Sequence, residues 1–252
     1  MKLESAHVWL VGASEGIGRA LALELLKSGA SVTVSARSQD KLESLKQEAG
    51  EGATLATVVA DVTSYDSLKN AYEQIRLQST VPDVVVFNAG IYKPAASDVA
   101  MLQDALATVD TNLNGALRLW DIVRPDMLAR KQGRFILVSS VAAYRGLPTS
   151  YAYGASKAGL TNLAETLRME MASHGITIQL ISPGFVDTRL TRQNDFKMPM
   201  IITPEKAAIA IVHGLKSDTY EIHFPKRFSL IMKLLRILPN RLFFWIAKRG
   251  IV

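Results

Sequence analysis

Along the first 224 residues, apolar positions fall into two alternating patterns. Short runs dense in β-branched and other apolar residues occur at His7 to Val11, Ser31 to Ser35, Thr54 to Val59, Asp83 to Phe87, Arg134 to Ser139, Thr177 to Ile181 and Tyr220 to Phe224. Runs of about five residues with this character suit strands of a parallel sheet covered on both faces. Between them, apolar residues recur at helical spacing over Ile17 to Lys27, Gln39 to Glu48, Ser64 to Leu77, a longer segment from Leu102 to Arg130, and Tyr151 to Ser173. Gly29 and Gly175 stand where the first helix and the helix before the sixth strand should stop. The alternation predicts repeated βαβ units, hence a doubly wound α/β fold of about seven parallel strands with helices on both faces. Thr188 to Thr203 lacks either period and reads as a long loop or lid of the kind that controls substrate entry.

Composition narrows the class. With 48% hydrophobic and 21% charged residues, the 252-residue chain has ample material for a globular core. It contains no cysteine, which excludes disulfides and thiolate chemistry. His7, His174, His213 and His223 are scattered without the spacing of metal ligands, so no metal site is expected. Met1 to Ala6 carries no apolar stretch of the secretory kind, and a cytoplasmic location is expected.

Charge divides the chain in two. Seven basic residues and no acidic one lie between Pro225 and Val252, leaving 22 basic and 23 acidic residues before them. The net charge of +6 therefore belongs to the tail, and a nucleic-acid face on the main body is not expected. The expected organisation is a catalytic domain over 1–224 followed by a basic amphipathic helical extension over 225–252. Within that extension, Ser229 to Leu238 and Asn240 to Lys248 read as helices, and the longest apolar run, Leu242 to Ala247, is only six residues. Such helices could lie peripherally on an anionic membrane with Phe243, Phe244 and Trp245 inserted, close the substrate pocket, or pack between subunits.

Two motifs carry chemistry. Gly12-Ala13-Ser14-Glu15-Gly16-Ile17-Gly18 leaves the first strand and opens the first helix, where backbone N–H groups and the helix dipole can face a pyrophosphate. A NAD site commonly places an acidic residue at the end of the second strand. Here the strand ends in Arg37 between Ser35 and Ser38, a guanidinium suited to a 2′-phosphate, so NADP(H) is favoured over NAD(H). Tyr153 and Lys157, four residues apart on a predicted helix, share one face, and a cation beside a phenol favours the phenolate.

Together with Asp61-Val62, Asn88-Ala89-Gly90, Asn112, Ser139-Ser140 and Pro183-Gly184, these motifs resemble the classical short-chain dehydrogenase/reductase family over about residues 6 to 224. The resemblance implies a Rossmann fold and interconversion of a carbonyl and an alcohol. It further implies that Tyr153 is the proton donor in reduction, that Lys157 lowers its pKa and holds the nicotinamide ribose, that Ser140 binds the substrate oxygen and that Asn112 holds a relay water. Asp61 and Val62 would meet the adenine, Asn88, Ala89 and Gly90 would line the cofactor cleft with Gly12, Ser14, Glu15, Gly16, Ile17 and Gly18, and Pro183, Gly184, Val186 and Thr188 would fold over the nicotinamide. In structural readings of the same residues, Asn88 ties neighbouring strands, Asp61 caps a helix and Ser139 packs. Val11 and Phe87 depart from residues frequent in the family, and Glu15 stands where some NADP enzymes have a base, which places 2′-phosphate recognition on Arg37.

The resulting expectation is an NADPH-dependent reductase of an apolar or lipid-like ketone or aldehyde, a homodimer or homotetramer by family resemblance. The alternative is a catalytically silent NADP(H)-binding regulatory or membrane-surface interaction protein, against which the intact Asn112, Ser140, Tyr153 and Lys157 argue.

Overall fold

The computed structural model describes residues 3–249. Seven strands, β1 (His7–Val11), β2 (Ser31–Ala36), β3 (Leu55–Val59), β4 (Val84–Phe87), β5 (Gly133–Val138), β6 (Ile176–Pro183) and β7 (Glu221–Phe224), form one sheet in the order β3-β2-β1-β4-β5-β6-β7. Every neighbouring pair is parallel. All seven expected strands are present. The helices are α1 (Gly16–Lys27), α2 (Gln39–Ala49), α3 (Tyr65–Gln78), α4 (Leu102–Val109), α5 (Gly115–Arg130), α6 (Tyr151–Met171), α7 (Pro204–Leu215), α8 (Lys226–Ile237) and α9 (Asn240–Ala247).

The two-residue period of each strand divides the core into two layers. Val8, Leu10, Val34, Val86 and Ile136 point to one face, where they meet Leu21 and Leu25 of α1, Leu42 and Leu45 of α2, and Ile211 and Leu215 of α7. Trp9, Val85, Phe87, Phe135 and Leu137 point to the other, against Leu68 and Ile75 of α3, Leu119 and Val123 of α5, and Leu160 and Ala164 of α6. Trp9 is fully buried, stacks on Tyr72 with ring centroids 5.6 Å apart, and donates its indole N–H to Ser35 Oγ at 2.9 Å. Its polar edge is therefore satisfied inside the core.

Two elements differ from the sequence reading. The segment from Leu102 to Arg130 is not one regular helix, because a π-helical turn at Asp110–Asn114 separates α4 from α5. The wider turn lets the Asn112 side chain reach the backbone of Ile91: Oδ1 accepts from the Ile91 N–H at 2.8 Å and Nδ2 donates to the Ile91 carbonyl at 3.0 Å. The second difference is α7, a helix absent from the sequence reading, which begins directly after the irregular 188–203 segment. Thr203 caps it by accepting from the Lys206 N–H at 3.3 Å, and Pro204 opens its first turn.

The two tail helices lie against the main body. Phe228, Met232 and Leu235 pack on Val141, Tyr144 and Leu147, while Phe243 of α9 is buried beneath the Arg145 guanidinium, 4.4 Å from the ring centroid. Lys233 pairs with Glu221 at 2.6 Å, and the same carboxylate accepts from Ser182 at 2.6 Å and from Tyr144. Burial acts to raise the Glu221 pKa, but these three partners outweigh it and hold the carboxyl below its ordinary value.

Candidate active site

Strand order reverses between β1 and β4, and a cleft opens at the carboxyl ends of the strands at this switch point. The glycine-rich turn forms its floor. Gly12 adopts φ +97, and a Cβ there would lie 2.4 Å from the Ala89 backbone nitrogen. A Cβ on Gly18 would lie 2.1 Å from the Gly12 carbonyl oxygen and 2.6 Å from Asn88 Nδ2. The first glycine thus allows the turn to pass beneath the end of β4, and the last seats α1 against that turn. Glu15 precedes α1 in extended conformation without a side-chain cap, which leaves the first-turn N–H groups available at the cleft. A negatively charged pyrophosphate fits this cradle in both space and polarity.

Of the residues expected to contact cofactor, Gly12, Ser14, Glu15, Gly16, Ile17, Arg37, Asp61, Val62, Asn88, Ala89, Gly90, Tyr153, Lys157, Pro183, Gly184, Val186 and Thr188 line this one cleft, together with Ser140. Gly18 and Asn112 stand behind its wall. Several lining residues also have structural duties: Asn88 Nδ2 donates to the Gly12 carbonyl at 2.6 Å, and Asp61 Oδ1 accepts from the Thr63 N–H at 2.9 Å and hydroxyl at 2.8 Å. Ser139 donates to the Lys157 carbonyl at 2.9 Å and packs with Thr161.

At the far end of the cleft, the exposed Arg37 makes no hydrogen bond or ion pair with another described residue. Beside it, the Glu15 carboxylate is held between Lys41, at 2.9 Å, and Arg189, at 2.6 Å. Burial pushes this carboxyl up, but the two cations prevail and keep it below its ordinary value. Glu15 thus lines the cleft with its charge matched by two cations.

At the other end, Ser140, Tyr153 and Lys157 share one wall. Lys157 is buried, donates from Nζ to the Val138 carbonyl at 2.8 Å, and has its ammonium 5.7 Å from the Tyr153 ring centroid. Burial without an acidic partner lowers its pKa from 10.5 to about 7. Burial raises Tyr153 to about 12; a hydrogen bond with Ser140 acts in the opposite direction, and Tyr92 adds to the rise. In the protein without cofactor, Lys157 is thus not what sets the phenol: desolvation dominates, and Tyr153 is neutral near pH 7. Asn112 is completely buried, and its Nδ2 also donates to Ser156 Oγ at 3.0 Å on α6, beside this wall.

A family model for short chain dehydrogenases matches residues 6–198. The chain is a short-chain dehydrogenase. As such it is an oxidoreductase of carbonyl–alcohol chemistry that uses a nicotinamide cofactor. An uncharacterized oxidoreductase of Myxococcus xanthus is 34% identical over 95% of both chains. The 3-oxoacyl-(acyl-carrier-protein) reductase FabG of Pseudomonas aeruginosa is 38% identical over 77% of this chain and 78% of its own. Among solved structures, a variant of actinorhodin polyketide ketoreductase with NADPH superposes with a TM-score of 0.81 at 25% identity, covering 87% of this chain and 95% of that one.

Two further residues of this short-chain dehydrogenase border the site without having been singled out from the sequence. The Tyr92 ring meets Tyr153 edge-on at 4.9 Å, and its hydroxyl donates to Asn194 Oδ1 at 2.9 Å. Burial raises its pKa, so it too is a neutral phenol. Arg189, through Glu15, ties the 188–203 segment across the cleft mouth to the glycine-rich turn. The one available sequence signal was position: Tyr92 follows Asn88-Ala89-Gly90 by two residues, and Arg189 follows Thr188.

Proposed function

We propose that this short-chain dehydrogenase reduces an apolar, acyl-chain-like ketone or aldehyde with NADPH. The observation that carries the reading is one cleft with a glycine cradle in the middle, an unpaired Arg37 at one end and the Ser140, Tyr153 and Lys157 wall at the other. The bound nicotinamide would supply the hydride to the carbonyl carbon. The Ser140 hydroxyl would orient and polarise the carbonyl oxygen, and the neutral Tyr153 would deliver its proton to that oxygen, which becomes a far stronger base than a phenolate as the hydride arrives. Lys157, with a pKa near 7, is suited to return a proton to Tyr153, and Asn112 to hold a relay water. Arg37 and the Ser38 hydroxyl would receive the 2′-phosphate.

Supporting the reductive direction and an acyl-chain substrate are relatives named for 3-oxoacyl reduction and a ketoreductase bound to NADPH. Phe185, which meets Phe196 edge-on and the tilted ring of Phe228, supplies an apolar surface between the 188–203 segment and α8. Exposed Leu102, Leu106 and Leu117 on α4 and α5 favour association into a homodimer or homotetramer.

The test is cofactor oxidation with a panel of aliphatic ketones, aldehydes and 3-oxoacyl thioesters. The expected result is turnover with NADPH at a kcat/KM at least about tenfold above that with NADH, with Arg37→Glu weakening NADPH use about 10- to 100-fold through loss of a charged hydrogen bond. Turnover of no carbonyl, or an Arg37→Glu enzyme with unchanged NADPH use, would overturn the respective half of the reading.

A further inference from the structure

We propose that the outer face of α8 and α9 is a docking surface for an anionic membrane, placing the substrate side of the protein against the lipid. The face is built, not incidental. On α8, the inner positions Phe228, Met232 and Leu235 are used in packing, yet Leu230, Ile231, Leu234 and Ile237 form a second stripe at helical spacing that is 50 to 75% exposed. On α9, Phe243 is used in packing, while Phe244 and Trp245 are 57% and 52% exposed. An aqueous helix needs one apolar face to dock on its own domain; α8 has two.

The charges identify the occupant. Lys226, Arg227, Arg241 and Lys248 are exposed and form no ion pair with another described residue, and no acidic residue occurs anywhere from Pro225 onward. Arg249 lies over the ring of Trp245 at 3.5 Å, and an exposed indole of this kind suits the headgroup level of a membrane–water interface. An apolar face on helices whose own charges are all basic complements anionic headgroups above acyl chains, although Glu165 of α6 pairs with Arg236 at its edge. A second copy of the chain fits poorly, because a two-fold interface centred here would set these bases against themselves. No described helix is long and apolar enough to cross a membrane, so the contact is interfacial.

The fold makes this contact relevant to the cleft. The inner side of α8 covers Val141, Tyr144 and Leu147, which follow Ser140 directly, and Phe228 meets Phe185 at 5.2 Å beyond the nicotinamide-side residues Pro183 and Gly184. The Glu221 network fastens α8 to β7, so the lipid-facing stripe is held at a fixed orientation to the site. Apolar substrate dissolved in a bilayer would be met at this side.

Trp245 provides a direct probe, because Trp9 and Trp120 are buried at 0% and 6% exposure. The full-length protein is titrated with vesicles of phosphatidylcholine alone and with added phosphatidylglycerol, following Trp245 emission and co-sedimentation. Expected are a blue shift and pelleting with the anionic vesicles, both weakened by salt. Neutralising Arg227 and Arg241 together as Gln lowers the partition coefficient about 25-fold at roughly fivefold per base. Leu230→Glu with Leu234→Glu abolishes insertion while circular dichroism and turnover of a water-soluble carbonyl persist, which separates this proposal from the catalytic reading. Absence of binding to anionic vesicles, binding unchanged in both variants, or conversion of an oligomer to monomers by the Leu→Glu pair would each overturn it, the last by assigning the face to a second copy.

Discussion

Lys157 shows how burial decides chemistry where sequence spacing does not. Its separation from Tyr153 was legible in the sequence, and so was the shared helix face. The pKa values were not, because they depend on burial of the ammonium with no carboxylate among the described residues beside it, a property of the folded surroundings. With a pKa near 7 in the folded protein against 10.5 as the ordinary value, the unfolded chain binds more protons between those limits. The stability contribution of Lys157 therefore rises with pH through this window: the full penalty is present below about pH 7 and is gone above about 10.5. Denaturant unfolding of cofactor-free wild type and Lys157→Met should accordingly show a stability difference that shifts in favour of wild type by several kcal/mol across the window, at about 1.4 kcal/mol per unit. A pH-independent difference would show that the ammonium is solvated. Tyr92 was illegible for another reason: it lies in an aperiodic segment, and only the fold brings it onto Tyr153.

At the scale of elements, what the sequence disclosed was whatever a strict period enforces. The seven strands were legible because each is a short apolar run between helices, and the glycine-rich turn because its spacing sits at a strand-to-helix junction. The π-turn at Asp110–Asn114 was not, since Thr111 to Asn114 continues an otherwise helical pattern and the wider turn is maintained by tertiary hydrogen bonds from Asn112 to Ile91 and Ser156. Helix α7 was not among the elements read from the sequence, although the irregular segment was bounded at Thr203 and Thr203-Pro204-Glu205 is a sound start signal. The close approach of α1 to the turn yields a prediction at this level. In Gly18→Ala the new methyl meets the backbone oxygen of Gly12, an atom that cannot move without displacing the cradle. The expected cost is about 1–3 kcal/mol, or a melting temperature lower by about 2–12 °C, with NADPH binding weakened in parallel. Differential scanning calorimetry and a binding titration check both; a variant with wild-type values would mean that α1 does not seat on the turn as described.

Across the whole molecule, two apolar layers fix a parallel sheet whose switch point opens the cleft, and the tail adds a third, smaller packing centre around Tyr144 and Met232 next to Ser140. The division into a balanced main body and a basic tail was visible in charge alone. That the tail helices would spend one face on the protein and keep another exposed was not, because sequence periodicity shows how many apolar positions a helix has and not which surface each one meets. The arrangement brings the residues proposed for cofactor recognition and proton transfer, and the proposed apolar approach, to one end of the sheet. In the proposed reaction Tyr153 delivers the proton while other groups hold the cofactor. The most direct measurement is therefore NADPH affinity and single-turnover carbonyl reduction by wild type and Tyr153→Phe. Tyr153→Phe should bind NADPH within about threefold of wild type and reduce its carbonyl about 10²- to 10⁴-fold more slowly, the usual worth of a positioned acid; reduction at the wild-type rate would rule out Tyr153 as the proton donor.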